Sequence, residues 1–286
     1  MNVYEEIAAK IIDRIDQGEI VWQKPWCAAF ACKSGATGNA YSLLNQMLLG
    51  ARPGYYYTFN QIKERGGMIK KGTKAAPIFF FTTYQTKETK EKLAELQEEE
   101  GGTWIAPSRV CLKRYNVFHQ DDIKGIELPR VDNPEGYEHD FDLTAEAVIT
   151  NYVEREKISL IIKKCDSAFY RPSEDSVTVP ATELFKELAE YYSTLFHELG
   201  HSTMKNTRCD RPTTGLTFGS KGYAREELVA EIASAMLCHA TNVDTAKAFN
   251  NSIAYLQSWR KVLTEDPAAI VWATSRAEKA ARYILN

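Results

Sequence analysis

The feature that most limits the possible fold and function of this chain is a pair of histidines four residues apart. His197 and His201 bracket the pentapeptide His-Glu-Leu-Gly-His. On an α-helix, residues four apart lie one above the other, so both imidazoles can reach one cation. An apolar stripe running from Leu184 to Leu199 predicts that this segment is helical. The sequence therefore predicts a helix that presents two metal ligands.

The glutamate inside the pentapeptide, Glu198, predicts a catalytic use for such a metal. Zinc accepts imidazole nitrogens, and a catalytic zinc keeps three protein ligands and one open position. Glu198 lies one step around the helix from the histidines, so its carboxylate stands beside the metal without binding it. There it can act as a general base on a water that the metal activates. The expected cofactor is Zn²⁺.

A third ligand is expected from a second helix, predicted over residues 224–233. Glu227 and Glu231 are four apart there and share a face, and buried carboxylates need partners. We assign Glu227 as the metal ligand and Glu231 as a hydrogen-bond acceptor for a ligating histidine. The reverse order is an alternative. Glu226 ranks third because it points about 100° away and suits an exposed face, and His239 is a weaker rival.

Two further features adjoin the predicted site. Residues 168–179 indicate a β-hairpin before the ligand helix, and its edge strand could pair with an extended peptide. An ordinary structural hairpin explains the same pattern equally well. The local pattern does not identify the donor that would stabilise an oxyanion, and Tyr223 is the candidate for that role.

The front of the chain is basic and the rear is acidic. Residues 1–90 carry 12 Lys or Arg and 7 Asp or Glu, a net charge of +5, and the remaining 196 residues carry −8. Aromatic residues alternate with the basic ones, a combination that suits single-stranded nucleic acid because cations follow phosphates and rings stack on bases. A solvated lysine-rich turn above an aromatic core is the alternative. The residues concerned include Trp22, Trp26, Tyr41, Lys63, Lys70, Lys71 and Lys74.

Composition and the positions of loop-like stretches suggest the domain organisation. The 286 residues, 44% apolar and 26% charged, fit one large globular domain or two ordinary ones. Residues 119–140 are the best linker candidate, and residues 86–102 indicate a solvated insertion with little to bury. The six scattered cysteines, with neither a signal peptide nor an apolar span, predict a cytoplasmic protein without a membrane partner.

Motifs over most of the chain resemble the ArdC-type plasmid antirestriction proteins. In front they are Trp22-x-Lys-Pro-Trp26, Gly38-Asn-Ala-Tyr41 with Asn45, and Gly67-Met-Ile-Lys-Lys-Gly72. In the rear they include Tyr192-Ser-Thr-Leu-Phe-His-Glu-Leu-Gly-His201 and Tyr223-Ala-Arg-Glu-Glu-Leu-Val-Ala-Glu231. The resemblance implies a domain that binds single-stranded DNA, where it adds Lys24 and Asn45 to the candidates. It also implies a zincin-like metallopeptidase domain and a mobile element whose DNA is protected from restriction. Residues 86–102 and 119–140 depart from the family pattern.

The sequence thus predicts an α+β protein of two domains. Residues 1–125 would form a small α+β domain that binds single-stranded DNA, and residues 140–286 a helix-rich zincin-like domain. The expected partners are single-stranded DNA and, if the site is catalytic, a protein substrate. Two alternatives stay open: a DNA-binding protein whose zinc site is structural or vestigial, and a regulatory peptidase that cleaves a repressor.

Overall fold

The described part of the chain is a mixed α+β structure, which confirms the predicted fold class. The structure is a computed structural model, and it describes residues 2–19, 32–50, 52–84, 109–129, 144–212, 216–217, 219–244 and 253–286. The insertion predicted at 86–102 and residues 130–140 of the predicted linker lie outside these ranges. No helix among the described residues is both long and apolar enough to cross a membrane.

The elements are numbered here in chain order. They are α1 (Val3–Asp16), β1 (Cys32–Ser34), α2 (Leu43–Leu48), β2 (Gly54–Thr58), α3 (Phe59–Glu64), β3 (Met68–Ile69), β4 (Ala76–Tyr84), β5 (Arg109–His119), β6 (Ile123–Lys124), α4 (Ala145–Glu156), β7 (Ser159–Lys163), β8 (Phe169–Arg171), β9 (Ser176–Pro180), α5 (Leu188–Ser202), α6 (Lys221–Ala240), α7 (Ile253–Glu265) and α8 (Ala269–Leu285).

Packing divides the chain into two compact units. The first unit joins Met1–Tyr56 to Leu128–Asn286, and the second unit is Tyr57–Glu127. This division follows from packing. The domains predicted from the sequence, 1–125 and 140–286, remain a prediction.

The first unit contains the front helix and the helices of the rear half. A capping box at Asn2 and Glu5 starts α1, and its buried Ile7, Ile11 and Ile15 lie four residues apart on one face. This helix packs on α7. Strand β1 pairs in parallel with the start of β2.

A three-stranded sheet and three packed helices form the part of the first unit that holds the metal motif. The sheet order is β7-β9-β8, with β7 parallel and β8 antiparallel to β9. The predicted hairpin at 168–179 is therefore confirmed, and β8 is one edge of its sheet. Helix α6 packs against both α5 and α8, because small and apolar residues cover most of its circumference.

One predicted boundary is wrong. The apolar stripe was expected to extend the ligand helix back to Leu184, but α5 begins at Leu188. Leu184 ends a separate 3-10 turn and is 52% exposed. Its spacing matched the stripe, but half of its side chain is exposed, so the periodicity continued beyond the packed face.

The second unit is built on the antiparallel pair of β4 and β5, with register from Ala76↔Val117 to Tyr84↔Arg109. Helix α3 starts at a capping box of Thr58 and Gln61. The short strands β3 and β6 form a separate antiparallel pair.

Candidate metal centre

Helix α5 presents its two histidines on one face, as the spacing predicted. The ring centroids of His197 and His201 are 4.7 Å apart, and their Nε2 atoms are 3.1 Å apart. On the opposite face Leu195 and Leu199 are buried in the core. Because that core fixes the helix rotation, the two imidazoles must share the opposite side.

Helix α6 reaches the histidines because Gly200 has no side chain. A Cβ at Gly200 would lie 3.3 Å from the Cα of Ala230 and 3.5 Å from its carbonyl oxygen. The backbones of α5 and α6 therefore meet at van der Waals distance. Glu227 is three residues before Ala230 in α6, which brings its carboxylate to the histidine face.

Glu227 completes a three-residue group with the two histidines. Its Oε2 is 3.5 Å from Nε2 of His197, and its Oε1 is 3.4 Å from Nε2 of His201. The three ligand atoms lie within 4.8 Å of one another. Ligands bound tetrahedrally at about 2.05 Å from zinc are roughly 3.3 Å apart. The residues present thus fit one divalent cation.

The other ring nitrogens face two further carboxylates. Nδ1 of His201 is 3.3 Å from Oε1 of Glu226, and Nδ1 of His197 is 3.6 Å from Oε2 of Glu231. Each histidine thus turns Nε2 toward Glu227 and Nδ1 toward a carboxylate of its own. This is the arrangement in which outer carboxylates orient metal-binding imidazoles.

The expectation for Glu226 is wrong. Its spacing suggested an exposed side chain, yet it is 3% exposed and pairs with Arg211 at 2.6 Å as well as with His201. Arg211 lies in the irregular segment after α5, and no local pattern linked it to α6. Only knowledge that Arg211 is buried opposite Glu226 could have revealed that Glu226 is buried and faces His201. His239 is half-buried near the end of α6 and is not part of the metal-binding group.

The carboxylates determine the charge state of the group. Burial lowers the pKa of His197, but hydrogen bonds with Glu227 and Glu231 outweigh it and raise that pKa to about 10. Burial likewise opposes ionisation of Glu227, yet the two histidines hold the pKa of its carboxyl below the usual range. Without metal, His197 is therefore protonated and Glu227 is ionised at neutral pH.

A cavity of about 440 Å³ opens beside this group. Glu198 is 8% exposed and lines the cavity next to the histidines, as do Phe169 and Tyr170 of edge strand β8. Tyr223 lines the same cavity. Burial and the nearby Glu227 raise the pKa of Tyr223 to about 12, so its phenol stays a proton donor at neutral pH.

The candidate DNA-binding residues fall into three groups. Trp22, Lys24 and Trp26 lie outside the described residues. Tyr41 and Asn45, in the first unit, are 6% and 0% exposed, so the structure places them in the core and not on a surface that a strand could contact. The exposed candidates belong to the second unit and are Lys63, Lys70, Lys71 and Lys74.

The fold and the site together define a zincin-like metallopeptidase domain. Residues 147–276 match the family model of the zincin-like metallopeptidases, and residues 1–118 match that of the N-terminal domain of the anti-restriction factor ArdC. The antirestriction ArdC protein from the R388 plasmid has a similar structure, solved metal-free and with Mn(II) bound. Each of the two structures is 30% identical to this chain with a TM-score of 0.68, and the match covers 99% of this chain and 97% of ArdC. This chain belongs to the ArdC family of antirestriction proteins.

Curated relatives include much longer proteins. Two Escherichia coli proteins named DNA primase TraC are 31% and 30% identical over 99% of this chain, which spans 27% and 20% of their lengths. The uncharacterized protein y4eC of Sinorhizobium fredii (strain NBRC 101917 / NGR234) is 28% identical, with 99% of this chain matched to 91% of y4eC.

Proposed function

We propose that this antirestriction-family protein of a mobile element carries a working zinc peptidase site and binds single-stranded DNA. The observation that carries the peptidase proposal is the position of Glu198. Its carboxylate lines the cavity beside His197, His201 and Glu227 but stands outside the three-ligand group. A purely structural metal site is typically closed by a fourth protein ligand.

In this proposal each residue of the site has its own role in peptide hydrolysis. Nε2 of His197, Nε2 of His201 and a carboxylate oxygen of Glu227 would hold the metal. When bound, it would polarise the peptide carbonyl and lower the pKa of a water. Glu198 takes the proton from that attacking water and passes it to the leaving amine.

The remaining residues of the cavity serve binding and orientation. Glu231, whose Oε2 lies 3.6 Å from Nδ1 of His197, orients that ring electrostatically. Strand β8 offers its outer edge to an extended peptide, whose backbone would add to the sheet. Tyr223, a protonated phenol at neutral pH, donates to the oxyanion that forms during attack. Zinc is proposed as the metal because two imidazoles and one carboxylate are a common catalytic zinc ligand set.

Cleavage of a peptide library tests the peptidase role. The zinc-loaded protein is incubated with the library, and new termini are identified by mass spectrometry. Wild type should generate termini that a chelator suppresses, and Glu198→Gln should lower their yield by a factor of about 100 or more, the range of general acid–base contributions. Glu190→Gln, on the same helix, is the matched control and should cleave like wild type. Equal cleavage by Glu198→Gln would exclude the general-base role.

The DNA-binding role rests on the surface of the second unit. Its described residues, 57–84 and 109–127, hold nine Lys or Arg and four Asp or Glu. Large aromatic side chains are exposed among them: Phe59 is 58% exposed, and Phe80 and Tyr115 are each 43% exposed. Phe80 and Tyr115 pack edge to face at 5.8 Å, and Lys113 lies opposite Phe80 in the strand register. Cations beside exposed rings suit a flexible strand with unstacked bases.

Protection of DNA separates the alternatives. A plasmid that carries this gene is transferred into a restricting host, with wild-type protein or with Glu198→Gln. If proteolysis serves protection, Glu198→Gln should lose it. Retained protection would favour a DNA-binding protein with a structural or vestigial metal site. A regulatory peptidase that cleaves a repressor predicts cleavage without any salt-sensitive binding of DNA.

A further inference from the structure

A buried arginine lies directly behind the metal-binding group. Arg211 is 4% exposed and forms a two-pronged ion pair with Glu226, from Nε to Oε2 at 2.9 Å and from Nη2 to Oε1 at 2.6 Å. Glu226 in turn faces Nδ1 of His201 at 3.3 Å. The order along this chain of side chains is therefore Arg211, Glu226, His201, with Nε2 of His201 turned toward the metal position.

The same arginine also contacts the end of the ligand helix. Nη2 donates to the carbonyl oxygen of Gly200 at 2.9 Å, and Nη1 donates to Oγ1 of Thr203 at 2.6 Å. Gly200 precedes His201 in the chain and is the point where α5 meets α6. One guanidinium thus fixes the backbone beside His201 and the carboxylate behind its ring.

Stability alone does not account for this pair. Removing two charges from water costs several kcal/mol per ion, and apolar residues of similar volume often replace a buried ion pair without loss. An apolar pair could not accept a hydrogen bond from Nδ1 of His201. A carboxylate in that position, with its orientation fixed by a fork of donors, determines which ring nitrogen carries the proton.

We infer that Arg211 and Glu226 are positioning residues for the metal ligand His201. Glu226 accepts the Nδ1 proton and so presents the unprotonated Nε2 to the metal, and Arg211 holds Glu226 in the orientation that this requires. The inference rests on the metal site of the proposed function. It adds two residues that act through His201 and that lie outside the three-ligand group.

Zinc affinity and cobalt spectra of matched variants test the inference. Affinity is measured by competition with a chromophoric chelator, and the visible absorption of the Co(II)-substituted protein reports ligand geometry. We expect Glu226→Gln and the double variant Arg211→Met/Glu226→Gln to bind zinc about 10–100-fold more weakly than wild type, with altered cobalt bands. The double variant removes both buried charges together and leaves no unpaired buried ion, so the protein should still unfold in one cooperative transition in urea.

The control is the neighbouring ion pair of Arg225 with Asp266, at 2.6 Å, which also involves helix α6. Arg225→Met/Asp266→Asn should leave zinc affinity and the cobalt spectrum unchanged. Wild-type affinity and spectrum in the double variant at 211 and 226 would overturn the inference, as would an equal loss in the control. A wild-type protein that binds no zinc would instead overturn the proposed function, and the two failures are therefore distinguishable.

Discussion

Three glutamates within six residues of α6 have different surroundings. Glu227 faces both Nε2 atoms, Glu226 lies behind His201 with Arg211, and Glu231 lies behind His197. The i, i+4 spacing of Glu227 and Glu231 is a local pattern, and it led to the three-residue group that the structure contains. The burial of Glu226 depends on Arg211, fifteen residues earlier, and no periodicity in the sequence encodes that pairing.

Zinc uptake should release protons at neutral pH. The pKa of His197 is raised to about 10, so its ring is protonated below that pH and must lose a proton before it can bind metal. Zinc affinity should therefore rise as pH increases from 6 toward the raised pKa. Calorimetric titration in two buffers of different ionisation enthalpy measures the protons released. Identical heats in both buffers would contradict this prediction.

At the scale of elements, the packing of α5 on α6 sets the geometry of the site. The sequence predicted the first helix from its apolar stripe and the second over residues 224–233. The start of α5 could not be predicted as well, because Leu184 continues the periodic pattern before the helix begins, where its side chain is 52% exposed. Periodicity indicates a face, but only packing determines where that face ends.

Gly200→Ala should separate these helices. Alanine favours a helix by about 1 kcal/mol over glycine, but overpacking costs about 1–3 kcal/mol. Since the atoms opposite are backbone atoms of Ala230, the cost should exceed the gain. We expect lower stability in urea and weaker zinc binding, because Glu227 moves away from the histidines. Unchanged zinc affinity would show that the site tolerates a wider spacing.

Arg208 joins three elements behind the site. Its side chain is 1% exposed and donates to Asp175 before β9, to Glu156 at the end of α4 and to the carbonyl oxygen of Ser202 in α5. Burial raises the pKa of both carboxyls, but hydrogen bonds to Arg208 outweigh it and hold each pKa below its usual range. The cluster therefore stabilises the fold above the usual carboxyl range and loses that effect as pH falls through the lowered pKa values.

Arg208→Met should cost about 1–3 kcal/mol at neutral pH, because it removes a buried guanidinium that donates to two half-buried carboxylates and to the carbonyl oxygen of Ser202. The difference from wild type should shrink as pH falls through the lowered pKa values of those carboxyls, because protonation removes their interaction with Arg208. Urea unfolding at several pH values measures both effects. Arg171→Ala, which breaks an exposed ion pair with Glu174, is the control and should cost at most about 1 kcal/mol. A difference that stays constant down to pH 3 would contradict the assignment.

At the scale of the whole molecule, the sequence has a basic front and an acidic rear. The sequence could not separate buried from exposed members of the front half. Tyr41 and Asn45 looked like surface candidates but are buried, whereas Phe80 and Tyr115 are exposed and were not singled out. Aromatic residues occur both in cores and on surfaces, so composition alone does not show which of them are exposed.

Neutralising the exposed lysines of the second unit should weaken binding to single-stranded DNA. The slope of log affinity against log salt concentration should become less negative by about 0.7 for each phosphate contact that is lost. Fluorescence anisotropy with a labelled oligonucleotide at several salt concentrations measures both changes. The test variant replaces Lys63, Lys70, Lys71 and Lys74 by glutamine. The control replaces four exposed lysines of the first unit, which are Lys157, Lys163, Lys164 and Lys186. Equal weakening in both variants would indicate a general charge effect and no defined surface.

The proposed chemistry depends on a zinc ion held by His197, His201 and Glu227, with Glu198 beside it but not bound to it. Zinc content and affinity of three purified proteins decide whether the site is built in this way. Wild type should bind one zinc per chain, Glu198→Gln should bind it with nearly the same affinity, and Glu227→Gln should lose more affinity than the roughly 10–100-fold expected of Glu226→Gln. Tight zinc binding by Glu227→Gln, or loss of zinc from Glu198→Gln, would contradict these assignments.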